Sequence, residues 1–291
     1  MAMSQLLDYW VTMLTDPLMQ RALVVAALVG AAAPIVGTFL VQRRLALLGD
    51  GIGHVALTGV ALGWLIGAGL GLTPGALAVP GAISAAVIGA AAIELVRSKA
   101  RTSGDLALAI MFYGGIAGGA VLIKIAGGTS ANLVAYLFGS LATVSTADVV
   151  TTVVLCGVIG LVGLGLRWAL LAVTTDQPTA RAAGLPTSAY NVALAVMAAL
   201  AVTTAMRVVG LLLVSALMIV PVAAAQLGTR SFAMTQAVAS ALGVLVALAG
   251  LIASYWYDLP PGATIVVLAI GLYALIAALR PLLIRRKTKA C

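Results

Sequence analysis

Asp50 and His54 are the two residues of this sequence whose types and spacing could support chemistry. They lie four positions apart in residues 43–71, a stretch that begins with two arginines and then becomes apolar. Side chains four apart share one face of a helix, so the carboxylate and the chain's single imidazole would lie one turn apart. Together a carboxylate and an imidazole suit a divalent transition metal such as zinc or manganese.

The position of this pair favours a transport site over a storage site. At about 1.5 Å per residue, His54 is predicted roughly 13 Å into a helix that begins near Leu45. An acid there costs about 2.5–3.5 kcal/mol to insert, and such residues usually belong to a pathway or a site. Two ligands are too few for tight zinc binding, which takes four, but suit an ion that must be released. The alternative is a hydrogen-bonded pair that only joins two helices.

Glycines are predicted to position the helix that carries this pair. Gly59, Gly63, Gly67 and Gly71 fall on the side of the helix opposite Asp50 and His54. Small residues four apart let two membrane helices approach closely. The same packing role is predicted for the glycines of the fourth apolar span, which are Gly114, Gly115, Gly118 and Gly119.

Composition predicts an all-α, polytopic integral membrane protein. Of 291 residues, 63% are hydrophobic and only 8% are charged, whereas soluble domains carry about 25% charged residues. Residues 20–283 are predicted to form one transmembrane domain of about nine helices, with eight to ten possible. Residues 1–19 are expected to form an amphipathic surface segment and residues 284–291 a basic cytoplasmic tail. The predicted spans are 20–42, 47–72, 76–97, 105–126, 147–172, 188–206, 208–228, 231–255 and 261–283.

Basic residues predict the orientation of these spans. With the N-terminus outside and the C-terminus in the cytoplasm, only Arg21, Lys124 and Arg207 lie outside, and the other thirteen lysines and arginines lie inside. The net charge of +8 therefore reflects membrane orientation, and no nucleic-acid partner is expected. The expected location is a bacterial plasma (inner) membrane. A tenth apolar piece, residues 131–141, is too short to cross and is predicted to be re-entrant or to lie at the surface.

The longest internal loop, residues 173–187, contains a predicted short helix near 176–184. Asp176 is placed to cap its start, Pro178 suits its first turn, Gly184 suits its C-cap and Pro186 ends it. Such a helix at the cytoplasmic surface could dock a partner protein. The alternative is an ordinary ordered loop.

Motifs for catalysis are not found in the sequence. It has no G-x-x-x-x-G-K-[ST] phosphate-binding loop, and its one histidine already lies next to an acid in an apolar span. We therefore expect no enzymatic activity and no permanently bound cofactor. If ATP drives this protein, a separate chain must bind it.

Six segments of the chain resemble the permease subunits of bacterial zinc/manganese (ZnuB-like) ABC importers. The most specific is GTFLVQRRLALLGDGIGHVALTGVALG from Gly37, which combines paired basic residues, Gly-Asp and a histidine four residues after the acid. The others, in order, are GDLALAIMFYGGIAGGAVLI, AYLFGSLATVS, TARAAGLP, RVVGLLLVSALMIVPVAAAQL and SYWYDLPPGATIVVLAIGLY. That family often has serine before the histidine and proline four residues after it, where this chain has Gly53 and Thr58.

The resemblance implies an importer of zinc or manganese that works by alternating access. It implies a homodimeric pore in the lipid bilayer, a cytoplasmic ATP-binding subunit and an extracytoplasmic metal-binding protein that delivers the ion. It also implies a fold like that of the vitamin B12 importer permease, with residues 131–141 as a short gate helix. Asp50 and His54 match the family's metal-contacting pair. The matching coupling-helix residues are Thr179, Ala180, Arg181, Ala182, Ala183, Gly184 and Leu185.

Two other functions remain open at this point. A siderophore or cobalamin permease of the same class would need a wider pore and no Asp–His pair in its path. A stand-alone secondary metal transporter usually shows inverted repeats and more intramembrane acids.

Overall fold

The structure is a computed structural model that describes residues 10–73, 75–99, 104–129, 134, 136–139, 144–206 and 210–288. All the regular elements of these residues are helical. The helices that build the fold are α1 (Pro17–Gln42), α2 (Leu48–Gly69), α3 (Ala78–Lys99), α4 (Gly104–Ile125), α5 (Thr146–Gly165), α6 (Arg167–Thr175), α7 (Gln177–Ala182), α8 (Thr187–Ala205), α9 (Leu211–Gln226), α10 (Phe232–Tyr257) and α11 (Pro261–Thr288).

Eight helices within the described residues are long and apolar enough to cross a membrane. They match eight of the nine predicted spans, which confirms the all-α polytopic class. The remaining span, predicted at 208–228, is the shorter apolar helix α9. Its 16 residues extend about 24 Å, less than the roughly 30 Å of the hydrocarbon core.

The start of α9 lies against the short segment predicted as a gate helix. Residues 134 and 136–138 are helical, and most of the rest of 131–141 lies outside the described residues. Gly210 has a φ of 90°, and a Cβ there would lie 2.5 Å from the Gly139 nitrogen. The backbone at the start of α9, a helix too short to cross the hydrocarbon core alone, therefore contacts the backbone of this short segment. Arg207, predicted to lie on the outer side of the membrane, is not among the described residues.

One predicted span is interrupted in the structure. We predicted a continuous helix over 147–172, but Leu166 ends α5 and directly precedes α6. Helix α6 then buries Leu170, Val173 and Thr174 against the bundle. The 20 residues of α5 are already enough to cross the bilayer, so α6 lies beyond this crossing.

Glycines bring the inner helices together. In α2, Gly59 lies against the backbone of Gly81 in α3, and Gly63 lies against the backbone of Leu77, the residue before α3. Neither position has room for a Cβ. This confirms their predicted packing role. Gly67 has only one ordinary contact, and Gly71, with a φ of 67°, has none within 4 Å because α2 has ended. The expectation was therefore wrong for Gly71.

The two ends of the chain differ from simple expectations. The first span begins at Pro17, where the Asp16 carboxylate accepts a hydrogen bond from the Leu18 backbone N–H at 2.9 Å. Residues 1–9 of the predicted surface segment lie outside the described residues. Residues 10–15 are helical, and the Trp10 ring packs at a tilt against the Trp256 ring, with 5.0 Å between ring centroids. Helix α11 continues to Thr288, so most of the predicted tail extends this last helix.

Candidate metal site and docking helix

A tight turn between α1 and α2 sets the position of Asp50. Helix α1 ends at Gln42, and Arg44 takes a left-handed conformation with a φ of 59°. Helix α2 then begins at Leu48, so Asp50 lies in its first turn. The predicted span 47–72 begins within one residue of this start, but the start near Leu45 from which we placed His54 roughly 13 Å into the helix was three residues too early. His54 lies about 9 Å from the start of α2, and the carboxylate gains the favourable field of a helix N-terminus.

His54 is held in one tautomer by its own helix. Its side chain is 2% exposed, and its Nδ1 lies 2.8 Å from the Asp50 carbonyl oxygen. A carbonyl oxygen can only accept, so Nδ1 carries the proton, and in the neutral ring the lone pair is on Nε2. Histidine ligands of metals commonly donate their other N–H to a backbone carbonyl in this way.

Helix α4 fixes the remaining sides of His54. The Phe112 ring packs on the imidazole at 4.5 Å between centroids. Gly115 lies so close to α2 that a Cβ would be 2.6 Å from the His54 carbonyl carbon. One turn along α2, the Thr58 hydroxyl donates to the Gly115 carbonyl oxygen at 3.0 Å. The imidazole is therefore positioned by both helices.

The Asp50 carboxylate lines a cavity of about 300 Å³ between α2 and α4. Leu47, Leu108, Phe112 and Tyr113 form most of its wall. Tyr113 is 70% exposed, so the cavity opens on the outer surface of the bundle. Asp50 is half-buried, and no hydrogen bond or ion pair joins its carboxylate to another of the described residues. The carboxylate is available to a cation that enters this cavity.

One chain supplies too few ligands for a complete site. Within the described residues, no group of three or more His, Cys, Asp or Glu side chains could hold a metal ion. Asp50 and His54 lie on neighbouring turns, but the hydrogen bond between the two residues involves the backbone of Asp50. The alternative of a side-chain pair that locks two helices is therefore not what the structure contains.

The two departures from the family pattern have structural reasons. A Cβ on Gly53 would meet Leu211 and lie 3.1 Å from Val202 Cγ1, so a larger residue would not fit without movement of these side chains. Thr58 supplies the hydroxyl that links α2 to α4, a link that proline could not make.

Sequence analysis did not identify Phe112 and Tyr113 as part of this site. They stand in the segment that we assigned to glycine packing, next to Gly114 and Gly115. Phe112 and Gly115 are three apart and therefore share a face of α4, which could have indicated an aromatic contact beside a close helix crossing. The partner of that face could not be named from the sequence.

The short helix predicted near 176–184 is present as α7, Gln177–Ala182. Asp176 caps its start by accepting from the Thr179 N–H at 3.1 Å and from the Thr179 hydroxyl at 2.6 Å. Its end is closed by hydrogen bonds from the Gly184 N–H to the Arg181 carbonyl and from the Leu185 N–H to the Ala180 carbonyl. These are the bonds of a Schellman motif. The C-cap is Ala183, and Gly184, with a φ of 86°, is the residue after it.

Most of the predicted docking residues are accessible. Ala180 is buried and Leu185 is half-buried, whereas the others, which are Thr179, Arg181, Ala182, Ala183 and Gly184, are exposed. The Arg181 guanidinium lies 3.4 Å from the Thr187 hydroxyl. A helix attached through one alanine, with its outer face free, can accept a partner protein.

Comparison with known proteins assigns the chain to a family. The model of the ABC 3 transport family matches residues 15–280. The chain belongs to this family. The match covers the helices α2 and α4 around Asp50 and the helix α7 in a single stretch.

Relatives of this ABC 3 family member are bacterial membrane proteins. The manganese transport system membrane protein MntC of Halalkalibacterium halodurans is 34% identical and aligns over 94% of this chain and 91% of its own. The manganese import system permease protein ScaB of Streptococcus gordonii is 30% identical, over 93% and 95%. The structure of PsaBC from Streptococcus pneumoniae in complex with Fab superimposes with a TM-score of 0.81, at 30% identity over 93% and 95%.

These findings confirm the family resemblance and the membrane location. The ABC 3 family member is a multi-pass protein of the bacterial plasma membrane, with an all-helical permease fold. The orientation of its termini and the roles of Asp50, His54 and α7 stay predictions.

Proposed function

We propose that this chain is the membrane-spanning permease subunit of an ATP-binding-cassette importer for a divalent transition metal. The proposal is supported by the family match over residues 15–280 and by relatives named for manganese transport. Manganese is the favoured cargo, and zinc is the alternative.

One observation carries this proposal: Asp50 lines the α2–α4 cavity, and His54, buried one turn further along α2 against the cavity residue Phe112, keeps one ring nitrogen free of a hydrogen bond to the described residues. The carboxylate lines the cavity, and the Nδ1 bond to the Asp50 carbonyl leaves the Nε2 lone pair as the available imidazole donor. Carboxylate oxygens and water are ligands that manganese prefers, whereas imidazole also suits zinc. A mixed set of few ligands would bind either ion weakly enough to release it.

A second copy of the chain would complete the site. The described residues of one copy offer only this pair, and the cavity opens on an apolar face where Ile110 is 64% and Tyr113 70% exposed. Two copies that met through this face would bring two carboxylates and two imidazoles to one axis. Four ligands are sufficient for a divalent transition metal.

ATP would act through α7. In this proposal a separate cytoplasmic subunit binds ATP and contacts the exposed residues of α7. An extracytoplasmic metal-binding protein delivers the ion to the opposite side. ATP binding and hydrolysis would then move α7 and rock the helices between outward-open and inward-open arrangements. The site between α2 and α4 would face each side in turn.

The test is uptake of radioactive manganese and zinc by cells that lack this gene and regain it as wild type or variant. Asp50→Asn and His54→Gln should each reduce uptake at least tenfold, because each removes one ligand of a small set. Asp258→Asn is the matched control. It removes an exposed carboxylate from the loop after α10, and asparagine tolerates its left-handed φ of 51°. Membrane levels of all variants should match.

The outcomes separate the parts of the proposal. If manganese uptake is unchanged in both Asp50→Asn and His54→Gln, neither residue contacts the ion during transport. Uptake that continues without the ATP-binding subunit would contradict the ABC importer and support a stand-alone transporter. Competition between the two metals for the wild-type protein decides which of them is the cargo.

A further inference from the structure

We propose that the corner between α5 and α6 is a binding site for the phosphate of an anionic phospholipid, selected over zwitterionic phospholipid and formed by Arg167 and Trp168. The proposal concerns a surface remote from Asp50 and does not depend on what the protein transports. It follows from the length of α5, the exposure of Trp168 and the surroundings of the Arg167 guanidinium.

The length of α5 places this corner at a membrane–water interface. The helix has 20 residues and therefore extends about 30 Å, which equals the thickness of the hydrocarbon core. Its first end carries a polar capping box of Ser145 and Asp148. Between the two ends its outer face is apolar, with Val154 57% and Leu161 78% exposed. Such a face contacts acyl chains, so Arg167 lies where the acyl chains end.

Trp168 and Arg167 have the arrangement expected of an interfacial anchor. Trp168 is 69% exposed, and tryptophan is enriched at the level of lipid headgroups. The Arg167 guanidinium carbon lies 4.9 Å from the centre of the Trp168 ring. This cation–π contact holds the guanidinium at the interface, where its remaining N–H donors can bind an anion.

The Arg167 guanidinium is not fully hydrogen-bonded by the part of the chain that the structure describes. Its Nε is buried and has no hydrogen-bond partner among the described residues. A charged group that is incompletely satisfied beside the acyl chains is costly, whereas a phosphate bound at the terminal guanidinium nitrogens, which are not among the buried unsatisfied atoms, would offset that cost. Arginine binds phosphate through two parallel N–H donors, which makes a phospholipid the fitting occupant of this corner.

The site would also fix the depth of the docking helix. Helix α6 has nine residues, and only Asp176 separates it from α7. A lipid phosphate bound at Arg167 would therefore hold the start of this α6–α7 unit in the headgroup layer. Anionic lipids should be preferred, because a basic residue near the surface attracts them.

The experiment measures quenching of Trp168 fluorescence by brominated lipids. The full-length chain is placed in phosphatidylcholine vesicles with increasing amounts of brominated phosphatidylglycerol or brominated phosphatidylcholine. The chain has four tryptophans, so the Trp168 signal is the difference between the wild type and Trp168→Phe. We expect the wild-type site to prefer phosphatidylglycerol about five-fold. Arg167→Gln should lower this ratio to about one.

Two controls make the result decisive. Arg280→Gln removes an exposed cation at the end of another apolar span and should keep the five-fold preference. Arg167→Lys keeps the charge but loses the paired donors, and should give an intermediate ratio. A ratio near one in the wild type would overturn the proposal. An equal loss of preference in Arg280→Gln would also overturn it, because general surface charge would then be the cause.

Discussion

The contact between Gly115 and His54 gives the sharpest test of how α4 positions the candidate metal site. A Cβ on Gly115 would lie 2.6 Å from the His54 carbonyl carbon and 2.8 Å from its Cβ. Carbon atoms normally pack at about 3.5–4.0 Å, so Gly115→Ala requires α4 to withdraw from α2 by about 1 Å. Gly114, the next residue, has no atom within 4 Å of an added Cβ. Gly114→Ala is therefore a matched control.

The expected difference in stability follows from these distances. Overpacking at a tight contact costs about 1–3 kcal/mol. Withdrawal of α4 would also weaken the 3.0 Å hydrogen bond from Thr58 to the Gly115 carbonyl, which contributes about 0.5–1.5 kcal/mol. Both variants share the gain in helix propensity from glycine to alanine. Gly115→Ala should therefore have a free energy of unfolding about 2–4 kcal/mol lower than Gly114→Ala.

Unfolding is measured by titration with sodium dodecyl sulfate in mixed micelles, and transport by manganese uptake at matched membrane levels. Gly115→Ala should also reduce uptake about tenfold, because Phe112 moves away from the imidazole and the site loses its fixed geometry. The reasoning is refuted if the two alanine variants unfold at the same detergent fraction. If stability falls but uptake is unchanged, the contact is structural and α4 does not position the site.

The docking helix gives two further predictions. Gly184 has a φ of 86° and no atom within 4 Å of an added Cβ, so Gly184→Ala acts through backbone strain of about 1–2 kcal/mol. In proteoliposomes, Gly184→Ala should lower the amount of metal transported per ATP hydrolysed, whereas Gly184→Asn and the control Gly228→Ala should not. The same ratio of metal to ATP in all three variants would contradict a role for this turn. Hydrogen bonds from the Thr179 hydroxyl, which is the larger cause, and from the Thr179 N–H lower the pKa of the Asp176 carboxyl. The carboxylate that forms the cap is therefore ionised above the ordinary aspartate pKa of about 3.9. The cap is lost only as pH falls through the lowered pKa. The amide exchange rate at Thr179, corrected for its intrinsic dependence on pH, should therefore stay constant from about pH 8 to about pH 5. In Asp176→Ala this rate should be faster at every pH. A loss of protection between about pH 8 and about pH 5 in the wild type would show that the cap does not depend on the carboxylate.

The sequence by itself determined the features that depend on neighbouring residues and on the bilayer. The apolar spans were predicted within a few residues, except for the end of the span 147–172, because crossing a membrane requires about 20 apolar residues wherever the helix lies. The sequence also predicted the short helix α7, with its cap at Asp176 and its end at Gly184. Capping involves residues within a few positions of each other, so it can be read from the sequence. The pairing of Asp50 with His54 on one face of a helix has the same local cause.

Tertiary structure decided the features that depend on how helices turn and meet. The left-handed conformation of Arg44 separates α1 from α2, so that α2 begins at Leu48 and Asp50 lies in its first turn. The helix crossing decides that Gly115 contacts His54, whereas its neighbour Gly114 faces open space. Glycine is compatible with either position, so spacing alone could not separate the two. The contact of Phe112 with the imidazole likewise needs the relative rotation of two helices, which no single helix specifies.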